Sequence, residues 1–195
     1  MQNVTIDKNK TLVLIMDYQN EIVTMLPAGQ RALLLERAKR VLQAVRQTGL
    51  PVIHSVIYFR DGYPEVSAHN KMVSGAKEQG RLREGTIGVR INEEVEPQSG
   101  ELMIIRRRPG AFSGTELDAI LRAKGIITLV LLGIATSGVV LSTVRSAADL
   151  DYDLVVLSDG CADRDEEVHR VLMQKVFPRQ STVVTVEEFL KALTA

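Results

Sequence analysis

The stretch IITLVLLGIATSGVVLSTVRSAADL (Ile126–Leu150) decides the fold. It opens with IITLVLLG, a continuous apolar run that reads as a strand covered on both faces. It continues as TSGVVLSTVRSAADL, which has helical spacing. A buried strand that ends in a Gly/Thr/Ser turn and restarts as a helix is the repeating unit of open α/β sheets. In such sheets ligands bind at that turn. Here the turn offers only hydroxyls and small apolar groups.

The same alternation runs outward in both directions. TLVLIMD (Thr11–Asp17) is apolar on both faces and ends in an acid. QRALLLERAKRVLQAVRQTG then carries Leu34, Ala38, Val41 and Val45 on one helical face. Gly49 ends that helix, and Pro51 forbids its continuation. PVIHSVIYF is a second strand and ELMIIR a third, with a polar excursion between them from Arg60 to Gly100. SGTELDAILRAKG reads as a helix opened by a Ser113–Glu116 capping box and closed by Gly125. After Leu150 come a fifth strand, YDLVVLSD, a helix, DEEVHRVLMQKVF, and a sixth strand, STVVTV. The closing helix, VEEFLKALTA, has a Thr185–Glu188 capping box. Strand alternating with helix specifies an α/β fold: three α/β/α layers around a six-stranded parallel sheet, with right-handed crossovers. The 195 residues suit a single domain, 1–195, large enough to bury about 70% of its unfolded surface.

Composition excludes several classes of function. Lys and Arg total 24 and Asp and Glu total 24, so there is no basic excess for nucleic acid or an anionic membrane surface. The longest apolar run, Ile126–Leu132, is too short to span a bilayer. Cys161 is the only cysteine, which rules out an intramolecular disulfide. With no secretory leader, a cytoplasmic location is expected.

The strand ends hold the candidate chemistry. Asp17 follows an apolar run directly, so its carboxylate must be paired or lie in a cleft; a simple turn-capping role is the alternative. Arg106 and Arg108 share a face opposite Arg107, so one of them can meet Asp17 across the sheet. GIATSG precedes a helix N-terminus. It lacks the Lys of a phosphate loop and the spacing of a dinucleotide fingerprint, so no cofactor is implied. His54, His69 and His169 show no metal spacing. His54 reads as structural, and His169 as a surface residue or a support to the site.

LVLIMDYQNEIV, IIRRRPGAFSGTELDAILRAKGI and LVLLGIATSGVVLSTVRSAADLDYDLVVLSDGCAD together resemble the isochorismatase-like hydrolase superfamily, the cysteine hydrolases, across nearly the whole chain. The resemblance implies the same fold and a homo-oligomer, dimer or tetramer. It implies an Asp, a Lys and a Cys in the amidohydrolase members. By position these are Asp17, Arg106 and Val139. It also implies a cis bond between Ile134 and Ala135, and an oxyanion hole formed by the amides of Ala135 and Val139. Phe59, Phe112 and Thr136 are the expected substrate-binding residues; Thr136 also reads as a helix N-cap. Cys161 lies beyond strand five and reads as an incidental thiol.

The chain departs from the triad twice. Arg106 keeps the charge of a Lys but cannot shuttle a proton. Val139 has no nucleophile. The isochorismatases proper do not need the cysteine: their aspartate protonates a vinyl ether as general acid. The expected function is therefore hydrolysis of a small carboxylate- or amide-bearing substrate, with Asp17 as general acid/base and no cysteine nucleophile. Arg106 serves as its electrostatic partner and as a fork for a substrate carboxylate. The alternatives are an inactive family member that binds a small ligand or protein partner, and a scaffold with a filled cleft above Asp17.

Overall fold

β1 (Thr11–Met16) is buried along its whole length. Its side chains alternate between two cores, as the pleat requires. Val13 and Ile15 pack on α2 (Ala28–Thr48) and α7 (Val186–Thr194). Leu12, Leu14 and Met16 pack on α4 (Leu117–Ala123) and α5 (Leu141–Asp149). This is the computed structural model of the chain, and it describes residues 6–194.

Around β1 lie β2 (Val52–Ile57), β3 (Leu102–Arg106), β4 (Thr128–Ile134), β5 (Asp153–Ala162) and β6 (Thr182–Val184). The order is β3-β2-β1-β4-β5-β6, and every pairing is parallel. The chain goes out to one side through β2 and β3, then returns to lay β4 against the other side of β1. The order therefore reverses between β1 and β4, and a crevice opens beyond their carboxyl ends. Asp17 and the strand-four turn both sit there. No helix among the described residues is long and apolar enough to cross a membrane.

Local expectations meet the packing with mixed results. Gly49 takes the left-handed cap of α2 (φ 75°), and Thr185 and Glu188 exchange the two bonds of a capping box. The Ser113–Glu116 box does not form. Glu116 itself precedes α4 without a side-chain bond, and Thr115 Oγ1 accepts instead from Leu117 N–H (3.4 Å). β5 runs on to Ala162, past its expected end at Asp159, after a register shift opposite Leu131–Gly133. Cys161 thus lies inside the strand, paired with Gly133. The helix expected after β5 is only α6 (Glu166–Val171), followed by wider and tighter turns through Arg179. The excursion between β2 and β3 carries α3 (Lys71–Glu78) and two short 3-10 turns, and a short α1 (Asn20–Val23) follows β1.

A charged cluster ties the far end of the sheet together. Glu101 accepts from Arg46 of α2 on both oxygens (2.8 and 2.9 Å) and from the Gln98 amide (2.9 Å). Its Oε2 also lies 2.9 Å from His54 Nε2 in β2. Burial works to raise the Glu101 pKa, but bonds from Arg46, Gln98 and His54 outweigh it and hold the carboxyl down at about 2. A folded-state value below the unfolded one adds stability above the ordinary Glu range. That stability is lost as pH falls through the folded value. Glu101→Gln is therefore expected to cost about 2 kcal/mol at neutral pH. The gap from wild type should narrow as pH drops from about 4.5 toward about 2, followed by urea unfolding.

Candidate active site

Asp17 leaves β1 in the left-handed region (φ 60°). Its amide still donates to Ser55 O of β2 (2.9 Å), so the residue stays registered to the sheet while its side chain turns toward β3. Arg106 closes β3, and its guanidinium reaches over β2 to bond the Asp17 carboxylate. On the way its Nε donates to Ser55 Oγ (2.9 Å). Asp17 is 5% exposed and Arg106 0%. A carboxylate buried to that degree requires such a partner. Burial pushes the Asp17 carboxyl up; the Arg106 charge and hydrogen bond, and then the Ile57 amide, pull it back without cancelling the rise.

Arg106 has little left to offer a ligand. Beyond Ser55 and Asp17, it donates to the carbonyls of Arg108 (2.8 Å) and Pro109 (2.6 Å). Its expected part as a fork for a substrate carboxylate is thus corrected: the fork is spent on Asp17 and on the chain that leaves β3.

The strand-four turn begins with a close crossing. A Cβ at Gly133 would stand 3.0 Å from Met16 Cβ and 3.1 Å from Met16 O, so only glycine lets β4 end this near β1. The Ile134–Ala135 bond is cis. Ala135 O then accepts from Gly138 N (3.1 Å) and Val140 N (3.4 Å). From the end of β5, Asp163 Oδ2 accepts both the amide and the hydroxyl of Ser137, each at 2.7 Å. Thr136 Oγ1 lies 2.8 Å from His169 Nδ1.

Between these elements lies a cavity of about 410 Å³. Asp17 and Arg106 line one side, and Ala135, Ser137 and Val139 another. Phe59 adds an apolar wall, with Met72 and Val73 of α3 closing over it from the excursion. Glu21 fixes that wall by accepting from Arg81 Nε (2.7 Å) and Leu82 N (3.1 Å). The open cavity removes the scaffold reading, which required a filled cleft.

Asp17, Arg106, Ala135, Val139 and Phe59 are thus brought together as expected. Phe112 and Thr136 do not line the cavity. Phe112 packs its ring against Tyr152 (centroids 5.9 Å apart), and Thr136 is fully buried behind the turn, against His169, rather than capping a helix. Cys161 lines a separate, smaller cavity, and burial pushes its thiol up to about 12.

Three residues at the site were not singled out. Asp163, 6% exposed, borders the cavity and holds Ser137. Arg164, exposed at the rim, has no ion-pair partner among the described residues. Gln19, 0% exposed, bonds both backbone groups of Ile57 and the carbonyl of Val89, joining β2 to the excursion. An acid followed by a base after a strand, and a polar residue beside Asp17, were the signals available.

Comparison with known proteins gives concordant results. A model of the isochorismatase domain matches residues 11–188. The chain is 31% identical over 191 residues to YwoC of Bacillus subtilis (strain 168), an uncharacterized isochorismatase family protein, covering 98% of each. It is 29% identical over 211 residues to the ureidoacrylate amidohydrolase RutB of Rhizobium rhizogenes, covering 95% of this chain and 80% of that one. The crystal structure of a cysteine hydrolase from Pseudomonas syringae pv. phaseolicola 1448A shares the fold (TM-score 0.88, 22% identity, 98% and 95% covered).

The buried pair sets a stability test. Arg106→Leu is expected to cost about 3–5 kcal/mol by stranding the Asp17 carboxylate. Adding Asp17→Asn should recover part of that loss in urea unfolding at neutral pH. A single variant as stable as wild type would mean that Asp17 does not depend on Arg106.

Proposed function

The chain belongs to the isochorismatase family of hydrolases, and from that premise we propose that it hydrolyses a small anionic substrate in the 410 Å³ cavity, with Asp17 as the proton-exchanging group and water as the nucleophile. The observation that carries this reading is the buried Asp17–Arg106 pair facing Val139 across one cavity. Burial raises the carboxyl, which favours a group that holds its proton until the substrate needs it. Arg106 cannot release its own proton, so Asp17 is the one titrating member of the pair. Val139 offers no electron pair, and the acyl-enzyme route of a cysteine is closed.

The reaction follows from these parts. Asp17 gives its proton to the substrate atom beside the scissile bond. Water adds to the cation that develops and gives one proton back to Asp17; its other proton passes to the leaving group as that bond breaks, so the group departs neutral. The amides of Ala135 and Val139 face any oxyanion formed in the cavity. Arg164, charged and without an ion-pair partner among the described residues, receives the carboxylate or other anionic group. A ureide or amide is the second substrate class that the relationship to RutB suggests.

Isochorismate, ureidoacrylate and simple amides form the panel. Asp17→Asn is expected to lower turnover by about 10²–10⁴-fold, and kcat/KM should fall as pH rises through the Asp17 pKa, because the protonated form is the active one. Arg164→Ala should raise KM about tenfold for anionic members and leave neutral ones unchanged. No turnover of any member by wild type removes this reading.

Val139 favours a second reading, a ligand-binding member without turnover. Val139→Cys then separates the two. Gain of amidase activity, or a thiol alkylated readily near neutral pH, in a protein whose wild type turns nothing over marks an intact pocket used for binding.

A further inference from the structure

Two consecutive residues of the strand-four turn are held from one neighbouring segment. Asp163 takes the amide and hydroxyl of Ser137. His169, in α6, meets the hydroxyl of Thr136 at 2.8 Å through Nδ1. Thr136 is 0% exposed, and His169 is its only side-chain hydrogen-bond partner among the described residues. A buried hydroxyl proton left without an acceptor is costly. An unprotonated Nδ1 is the acceptor in reach, which puts the neutral ring's proton on Nε2.

The surroundings of the ring leave it free to titrate. It borders a second cavity of about 240 Å³, which gives protons a path from solvent. Its charged and titratable neighbours come from three elements: Asp159, Cys161 and Asp163 of β5 and its end, Arg37 of α2, and Asp165 at the start of its own helix. Asp159 is paired with Arg37 (3.3 Å), the Cys161 thiol is held neutral, and Asp165 is occupied capping Glu167 and Val168. Burial lowers the His169 pKa and Asp163 raises it, burial being the larger, so the ring is neutral at neutral pH.

We propose that His169 is a positioning residue for the strand-four turn: by accepting the Thr136 hydroxyl proton on Nδ1 it fixes the turn that carries Ala135 and Val139, and a second proton on the ring reverses that bond. When Nδ1 takes a proton from solvent it becomes a donor. Thr136 Oγ1 must then accept, and its own proton must rotate away within a fully buried site. The turn adjusts, and with it the amides that face the cavity. The consequence for hydrolysis rests on the reading above; the bond and its reversal do not.

The test is an NMR titration of uniformly 15N-labelled protein. Long-range imidazole correlations report the tautomer of His169, and the amides of Ser137–Val140 report the turn. The expected result is the Nε2–H tautomer at neutral pH, with turn amides moving at the same midpoint as the ring, below the ordinary histidine value of 6.5. Thr136→Val should abolish the coupled shift, and Thr136→Ser should restore it. A neutral ring with its proton on Nδ1, or turn amides that stay still while His169 titrates, overturns the proposal. Should Thr136→Val fail to fold, the wild-type titration alone decides. None of these readouts needs a substrate, so an absence of hydrolysis would count against the proposed reaction and leave this proposal to its own result.

Discussion

A carboxylate at the end of the central strand is almost wholly withdrawn from solvent, and most of the site's construction answers that one constraint. Arg106 comes from two strands away, which is possible only because β2 offers a small residue, Ser55, beneath its stem. The donors that remain on the guanidinium pull the Arg108 and Pro109 carbonyls inward, so the chain leaves β3 in a fixed direction. The next two arginines then turn back to the excursion. Arg107 pairs with Glu65 (3.3 Å) and stacks on Tyr58 (4.6 Å), and Arg108 donates to Glu65 O (3.0 Å). The same excursion carries Met72 and Val73 over the cavity. The wall above Asp17 is thus anchored partly by the neighbours of the residue that neutralises Asp17.

Much of this was legible because strands buried on both faces write themselves as apolar runs. β1, β2 and β4 stand where their runs stand, and the alternation with helices specifies the parallel sheet. The meeting of Asp17 with an arginine was legible from an acid that needed a partner and from alternation along RRR. The Ser113–Glu116 box failed because the chain around it is shaped by Thr115, which donates to Ala111 O (2.6 Å) and accepts from Leu117 N–H (3.4 Å). Thr136 and Asp163 were unreadable for a different reason: their partners lie 33 and 26 residues away. No local spacing encodes a bond that exists only once β5 and α6 are laid beside β4. Phe112 was drawn to Tyr152, a contact between two loops that strand patterns do not register.

On the reading proposed above, Arg106 and Val139 act on Asp17 in opposite directions. A lysine beside Asp17 can take and return a proton, so the pair would share its titration. An arginine is a fixed charge, and the proton then resides on the carboxyl or in the solvent. Val139, 3% exposed, places apolar surface in the cavity. Less polar surroundings oppose the charged carboxylate, as burial already does. Arginine pulls Asp17 toward the ionised form and burial pushes it the other way, burial being the larger effect.

The turn keeps its shape without help from residue 139. Gly133 sets its entry, Ala135 O gathers the amides of Gly138 and Val140, and Asp163 and His169 hold Ser137 and Thr136 from behind. Every one of these contacts is made by backbone or by a side chain other than Val139. Substitution at 139 is therefore expected to leave the backbone of the turn in place, because none of these contacts passes through that side chain. On the reading proposed above, a valine at 139 leaves the electron pair for hydrolysis to water, which meets Asp17 in the cavity that both residues line.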